Sequence, residues 1–372
     1  MTRLPRRTTL SFVAAAALAT FAGISPAVAQ DTVDIGVIAN LTGSNVLPSV
    51  NLVRGAEAAA KAINADGGIN GAQINLIIED SEYRVQEALN AATKLYDVDG
   101  VQSAIMFGGS NLMIPVAEMA RDKGRVLINV SSSSPTLADF TGTLFSVLPL
   151  DNIVGKALGE WAYDRGVRKA AFVVPNNAFG TGLMEAAAAA FTAKGGEVAT
   201  KVAYTEGQPD YRAEVQSVVQ TGPDAIIVTG YGDDSHKWFR LARTLGLDVP
   251  WYAAYPSILS IENPEWMDGK LFGIDNGGLN QGPAKAAVEA YKAEHGEDML
   301  AHYLYAYDAI GILAAAMKAE GTDAADISAA LPGVVPTYEA LTGKIVWDEK
   351  NQRIDPPLDL IEYKDGQFMS MD

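Results

Sequence analysis

The chain has 372 residues, sets 45 acidic against 28 basic side chains for a net charge of −17, and contains no cysteine. Without cysteine there is no disulfide, no thiolate metal site and no thiol nucleophile. The acidic balance argues against nucleic acid or an anionic membrane surface as partner.

The first 29 residues read as a secretory signal rather than as part of the fold. Arg3, Arg6 and Arg7 make a basic start, an apolar core runs from about Leu10 to Ile24, and Ala27-Val28-Ala29 offers small residues for cleavage. That core is shorter than the roughly 20 residues of a bilayer span, which disfavours an anchor. Arg6-Arg7 loosely resembles a twin-arginine signal, so both export routes stay open. Periplasmic localisation is the expectation. Loss of a leader with three arginines and no acid takes the net charge from −17 to −20. The remainder exceeds the ~250–300 residues at which a single core stops growing, so two domains are expected, held by core packing alone.

From Val33 the chain alternates short apolar runs with helical spacing. "VDIGVIA" predicts a strand, Leu52–Asn64 a helix, "INLIIED" a strand and "VQEALNAATKLYD" a helix. "VQSAIMF" predicts a strand, Leu112–Lys123 a helix and "RVLINV" a strand. A second series follows Asp151: a helix over Ile153–Arg165, the strand "KAAFVVP", a helix over Gly182–Lys194, then "EVATKVAY". A helix around Tyr211–Gln220, the strand "DAIIVTG", a helix over Ser235–Leu245 and the strand "PWYAAY" complete it. Such alternation implies βαβ units and parallel sheets covered on both faces. The tail breaks the order, with helices at Pro283–Glu294 and Ala301–Glu320 before strand-like "GKIVWD" and "PLDLIEY".

In open α/β sheets a ligand sits outside the carboxyl ends of the strands. "NLTGSN", "GGSNL", "SSSSP" and "GYGDD" lie there, each rich in Gly, Ser or Asn. Taken singly, such loops are also ordinary helix caps and turns. Ser110-Asn111 precedes a helix, however, and Ser131–Ser134 ends the next strand. Short hydroxyls and free N–H groups in such places cradle an anion, so the serines read as a binding loop and not a linker.

Catalytic equipment is missing from the sequence. There is no G-x-S-x-G elbow and no G-x-x-x-x-G-K-[ST] loop, and Gly230-Tyr231-Gly232 lacks the third glycine of a dinucleotide fingerprint. His236, His295 and His302 stand apart, without zinc-site spacing. Asp233-Asp234 reads as a solvated turn or helix start, or as a site for an ammonium group. No cofactor, metal or enzymatic activity is expected.

"GAEAAAKAINADGGINGAQINLIIED", Gly55 to Asp80, resembles the helix, turn and second strand of the periplasmic leucine/isoleucine/valine-binding proteins, the substrate-binding components of ABC importers. "FGGSN", "NVSSSSPTL", "NNAFGTGL", "VTGYGDD" and "YAYDA" extend the likeness over nearly all of the mature chain. The resemblance implies an α/β type I periplasmic binding fold: two doubly wound parallel-sheet lobes joined by a three-strand hinge. Residues 30–149 with about 279–356 would form one lobe, and 150–278 with about 357–372 the other. Hinges would lie near Leu148–Asn152, Asn276–Asn280 and Asp355–Pro357.

By the same resemblance a ligand carboxylate would be held by Ser110, with Asn111, and by Ser131, Ser132 and Ser133, the last standing where the family has threonine. Phe179 and Tyr231 would close from the second lobe. The departures bear on specificity. Pro48 replaces an aromatic residue, Tyr255 stands where an acid binds the amino group, and His302 falls near the apolar wall of the side-chain pocket, with Tyr303 the neighbouring choice. Asp233 could replace the acid; otherwise the ligand is an aromatic or other organic carboxylate. Implied partners are a small carboxylate ligand and an ABC permease with its ATPase in the inner membrane, the protein itself being a monomer. A ligand-sensing receptor for a signalling partner is the alternative, and an enzyme using the acidic loops a third.

Overall fold

The computed structural model describes Met1 and residues 31–43, 45–259, 267–276 and 282–371. The expected signal sequence, apart from Met1, and the expected hinge at 277–280 lie outside them. No helix among the described residues is long and apolar enough to cross a membrane.

The first series folds as β1 (Thr32–Ala39), α1 (Val46–Ala65), β2 (Gln73–Asp80), α2 (Val85–Thr93), β3 (Ser103–Met106), α3 (Ser110–Asp122), β4 (Val126–Asn129) and β5 (Leu144–Ser146). Its five strands form a sheet in the order β2-β1-β3-β4-β5, and every pairing is parallel. The inner strands β1, β3 and β4 are mostly buried and apolar, as such sheets require, whereas the edge strand β2 is only half-buried and carries Gln, Asn, Glu and Asp. Helix α1 starts six residues before the apolar spacing does. Pro48 falls in its first turn, where a backbone N–H has no intrahelical partner and its loss costs nothing. Beyond α1, Asn70 and Gly71 both take positive φ (52° and 98°), and Ile69 and Ala72 exchange both backbone hydrogen bonds. That turn is the one the Asn-Gly pair predicts.

A second series follows as α4 (Asp151–Asp164), β6 (Lys169–Pro175), α5 (Ala178–Ala193), β7 (Glu197–Tyr204), α6 (Arg212–Thr221), β8 (Ala225–Val228), α7 (Gly232–Thr244), β9 (Trp251–Ala254) and β10 (Leu271–Asn276). Helices α4 and α5 meet closely enough that a Cβ on Gly159 would sit 2.2 Å from the Ala187 carbonyl. Ala186 and Ala187 of the run "AAAAA" in α5 stand at that approach, opposite Gly155 and Gly159. Helices α8 (Ala284–His295), α9 (Ala301–Glu320) and α10 (Ala324–Val334) follow; α9 and α10 join α1 in one core with the first sheet, and α8 packs with Met299 and Leu304 in a smaller cluster. The last strands, β11 (Leu358–Lys364) and β12 (Gln367–Ser370), extend the second sheet to β12-β11-β10-β9-β8-β6-β7. Pairings β10–β11 and β11–β12 are antiparallel. The expected α/β fold of two lobes is present, with the sheets doubly wound around separate cores.

"GKIVWD" is not a strand. A single antiparallel bridge joins Trp347 to Arg353 around a turn in which Asp348 Oδ1 accepts from the N–H of Lys350 and of Gln352. The turn leaves no length for a ladder, and the segment is held by side chains instead. Trp347 Nε1 donates to the Ser146 carbonyl (2.7 Å). Arg353, 1% exposed, donates to the carbonyls of Val147, Thr342 and Lys344 and to Thr342 Oγ1. Asp308 accepts from the N–H groups of Leu341 and Thr342, and burial raises its pKa to about 6. The guanidinium thus fastens the returning chain beside the point where β5 leaves the first sheet. Arg353→Ala would leave several buried carbonyls unpaired and should cost about 3 kcal/mol or more. Urea denaturation measures this; a loss under about 1 kcal/mol would show that packing, not the guanidinium, holds the segment.

Candidate ligand-binding site

Strand order reverses between β1 and β3 in the first sheet and between β6 and β8 in the second. Crevices open at the carboxyl ends of such pairs. The loops after β3, β6 and β8, with those after β2, β4 and β9, line one cavity of about 530 Å³ between the lobes.

In the first lobe the four serines form a braced loop. Asn129, fully buried, accepts from the N–H of Ser131 (3.2 Å) and Ser132 (2.9 Å) and donates to the Ser132 carbonyl (2.7 Å). Ser131 Oγ accepts from the Gly108 N–H and, like Ser132 Oγ, donates to the Gly108 carbonyl, which ties the two loops together. Ser110 begins α3 and accepts from the Ser134 N–H at 3.1 Å, so its own O–H is left to donate. Ser133 Oγ donates to Asp151 Oδ2, and Tyr255 Oη donates to Asp151 Oδ1, both at 2.9 Å. Burial pushes the Asp151 carboxyl well above its usual range, outweighing the two hydroxyls that pull it down. One acid therefore joins the first-lobe loop to the second-lobe tyrosine.

The opposite wall is aromatic. Phe179, in the first turn of α5, packs against Tyr231 (centroids 5.5 Å apart) and Tyr255 (5.9 Å). Desolvation raises the pKa of both tyrosines well above its ordinary value, so each keeps its proton. His302, in the first turn of α9, stands edge-on to Phe107 at 5.1 Å. Its Nδ1 is buried and meets no partner among the described residues. Burial lowers its pKa to about 4, so the ring is neutral at pH 7.

Ser110, Ser131, Ser132, Ser133, Phe179, Tyr231, Tyr255 and His302 all line this cavity. Asn111 and Asp233 do not, and both are exposed. Each follows a cavity-lining residue at a helix start, and the ~100° turn per residue carries it out to solvent. Sequence reasoning passed over Tyr83, Phe107, Asp275 and Asp359, which also line the cavity. Tyr83 lies just beyond β2, so the carboxyl-end rule would have found it. Asp275 and Asp359 face each other across the β10–β11 pairing, which brings together strands far apart in sequence.

No lysine or arginine lines the cavity among the described residues. Instead the first turns or caps of α1 (Asn45, Pro48), α3 (Ser110), α5 (Phe179), α7 (Tyr231, Gly232) and α9 (Leu300, Ala301) open onto it. Each such end carries roughly half a positive charge and free N–H groups, the requirements for holding a small anion.

A family model described as "Periplasmic binding protein" matches residues 32–367. This chain belongs to the periplasmic binding protein family. Its likeness to the leucine/isoleucine/valine-binding branch runs along nearly the whole molecule. The leucine-, isoleucine-, valine-, threonine- and alanine-binding protein of Pseudomonas aeruginosa is 26% identical over 344 residues, 91% of each chain. A leucine-binding protein from Thermotoga maritima superposes with a TM-score of 0.82 at 23% identity, over 92% of this chain and 98% of that one. An ABC-transporter solute-binding protein from R. palustris, solved with benzoate, superposes with a TM-score of 0.77 at 18% identity, over 91% and 95%. At these identities the solved structures establish the shared fold of the binding protein.

The neutral state of His302 gives a pH signature. The unfolded chain protonates this residue near 6.5, the folded chain only near 4. Between those values the unfolded state binds more protons, so this contribution to stability is full above about pH 6.5 and is lost as pH falls toward 4. His302→Phe should remove that slope. In urea titrations the variant's stability relative to the parent should rise from pH 7 to pH 4.5; a constant difference would contradict a neutral His302.

Proposed function

We propose that this binding protein is the exported receptor of an ABC importer, closing on a small carboxylate-bearing ligand and passing it to an inner-membrane permease. Residues 31–149 with 282–356 form one lobe, 150–276 with 357–371 the other, and the connecting strands act as hinges. The carboxylate rests on Ser110 and the loop of Ser131–Ser133. The observation that carries the reading is the pairing of the Ser110 hydroxyl, beside the braced serine loop and backed by helix N-termini, with the wall of Phe179, Tyr231 and Tyr255 across a single cavity.

An aromatic or other organic carboxylate fits best. Tyr255 directs its hydroxyl to Asp151, and Asp233 lies outside the cavity, so neither meets an ammonium group there. A branched-chain amino acid is the second reading, favoured by Asp275 and Asp359 in the lining, since a desolvated ammonium needs an acid. A melting screen of the chain from Gln30 onward, with benzoates and branched-chain amino acids side by side, separates them. Ligand at 100 times its dissociation constant adds about 2.7 kcal/mol, a shift of several degrees. Stabilisation by benzoates alone is the expected result; stabilisation by leucine alone would transfer the reading to amino acids. Ser110→Ala with Ser133→Ala should weaken carboxylate binding more than tenfold, losing the Ser110 donor and, with the Ser133–Asp151 bond, the bracing of the loop. Unchanged affinity in calorimetry would refute the placement of the carboxylate.

A further inference from the structure

Ser131 and Ser132 bond Gly108, while Ser133 and Tyr255 bond Asp151, so these hydroxyls are already engaged. Tyr83 is different. It lines the cavity from the loop beyond β2, and its Oη makes no hydrogen bond to any described residue. That oxygen is not sealed off from the cavity, so a molecule bound there can reach it.

The Tyr83 hydroxyl points to the start of α3. Gly109, the residue before that helix, has φ −69° and ψ 162°, an extended conformation open to any residue. A Cβ there would nevertheless stand 2.8 Å from Tyr83 Oη and from Asn111 Oδ1. Asn111 is exposed, and its amide can swing aside. Tyr83 cannot, because its ring packs against two core clusters of the first lobe. Glycine is therefore required by the approach of the hydroxyl and not by the backbone. Glu82 and Tyr83 also take left-handed φ of 48° and 54°. Such strain persists only where the surroundings fix it, and it gathers where a side chain must be placed. Burial, with the charge of Glu206 beyond β7, raises the Tyr83 pKa to about 12, so the hydroxyl keeps its proton and can donate.

We infer that Tyr83 is a further ligand-binding residue, its hydroxyl donating to the ligand carboxylate beside the Ser110 hydroxyl and the first N–H groups of α3. This rests on the carboxylate reading above. The first N–H groups of a helix have no partner within it, and the Ser110 O–H is left to donate, so three kinds of donor converge on one spot. A phenol donating to a carboxylate makes a charge-assisted bond, about twice as strong as a neutral one.

The test is titration calorimetry with two acid–amide pairs, 4-hydroxybenzoate with 4-hydroxybenzamide and leucine with leucinamide, on the parent chain, Tyr83→Phe, Gly109→Ala and the double variant. For whichever acid binds the parent, Tyr83→Phe should weaken it about tenfold or more and its amide markedly less, since only the acid loses a charge-assisted bond. Gly109→Ala should also weaken the acid, by displacing the hydroxyl, and should add little on top of Tyr83→Phe, which leaves no oxygen to displace. If Tyr83→Phe leaves the acid's affinity unchanged, or weakens acid and amide alike, the inference fails and the carboxylate reading stands. If acid and amide bind the parent equally, or neither acid binds, both fail. Should Gly109→Ala not fold, the acid–amide difference in Tyr83→Phe decides between the same outcomes.

Discussion

A right-handed β–loop–α crossover starts each helix where its strand has just ended, so the positive end of the helix dipole lies at the carboxyl edge of a parallel sheet. Two such sheets set edge to edge around one cavity make a site for anions before any side chain is chosen. In this binding protein α1, α3, α5, α7 and α9 all begin at that cavity. A chain of net charge −17 does not attract anions, so under the proposed carboxylate reading the local N–H groups and dipoles do the holding. A cradle with no lysine or arginine among the described residues suits a binding protein that must also release. Fixed partial charges hold a carboxylate without the deep well of a buried lysine or arginine pair.

Positioning these ends costs backbone strain, part of which lies at the site. Asn45, Tyr83 and Tyr255 line the cavity and all take left-handed φ between 54° and 57°, a region few residues without glycine's freedom adopt. Each such residue costs of order 1–3 kcal/mol unless its surroundings fix it. Tyr255 is fixed by its bond to Asp151 and by donation from its N–H to the Ile274 carbonyl. Asp80, beneath the loop that carries Asn45, accepts from the N–H groups of Leu41 and Glu82 and from the Thr42 hydroxyl. Elsewhere Arg353 fastens the last return of the chain, so the rigid parts of the fold surround a site whose own backbone is tense.

Much of the architecture was legible because parallel strands buried on both faces announce themselves as unbroken apolar runs. Strand β5 has three residues, β10 contains Gly273 and β12 is an exposed edge, so none carries that signal. Helix α10 includes Pro332 near its end and gave no clear spacing. The serine loop and the aromatic residues could be picked out by their place at strand ends and by resemblance. What the loop's hydroxyls bond could not, since Ser131 and Ser132 find Gly108 through tertiary folding. The juxtaposition of Asp275 and Asp359 depends on an antiparallel pairing that no local pattern encodes. Nor does composition reveal that the acid joining the two walls is Asp151, which reads as an ordinary helix-start residue.

The central claim is that charge on the ligand is recognised by hydroxyls and helix ends, with no cationic side chain. Titration calorimetry at pH 7 with 4-hydroxybenzoate and its uncharged amide, 4-hydroxybenzamide, tests it most directly, because the pair differs only in the group placed on the cradle. The account predicts that the carboxylate binds roughly a hundredfold tighter, since charge-assisted bonds are about twice as strong as neutral ones and several helix dipoles add to them. Equal affinities would contradict it and would leave the cavity an apolar pocket indifferent to charge.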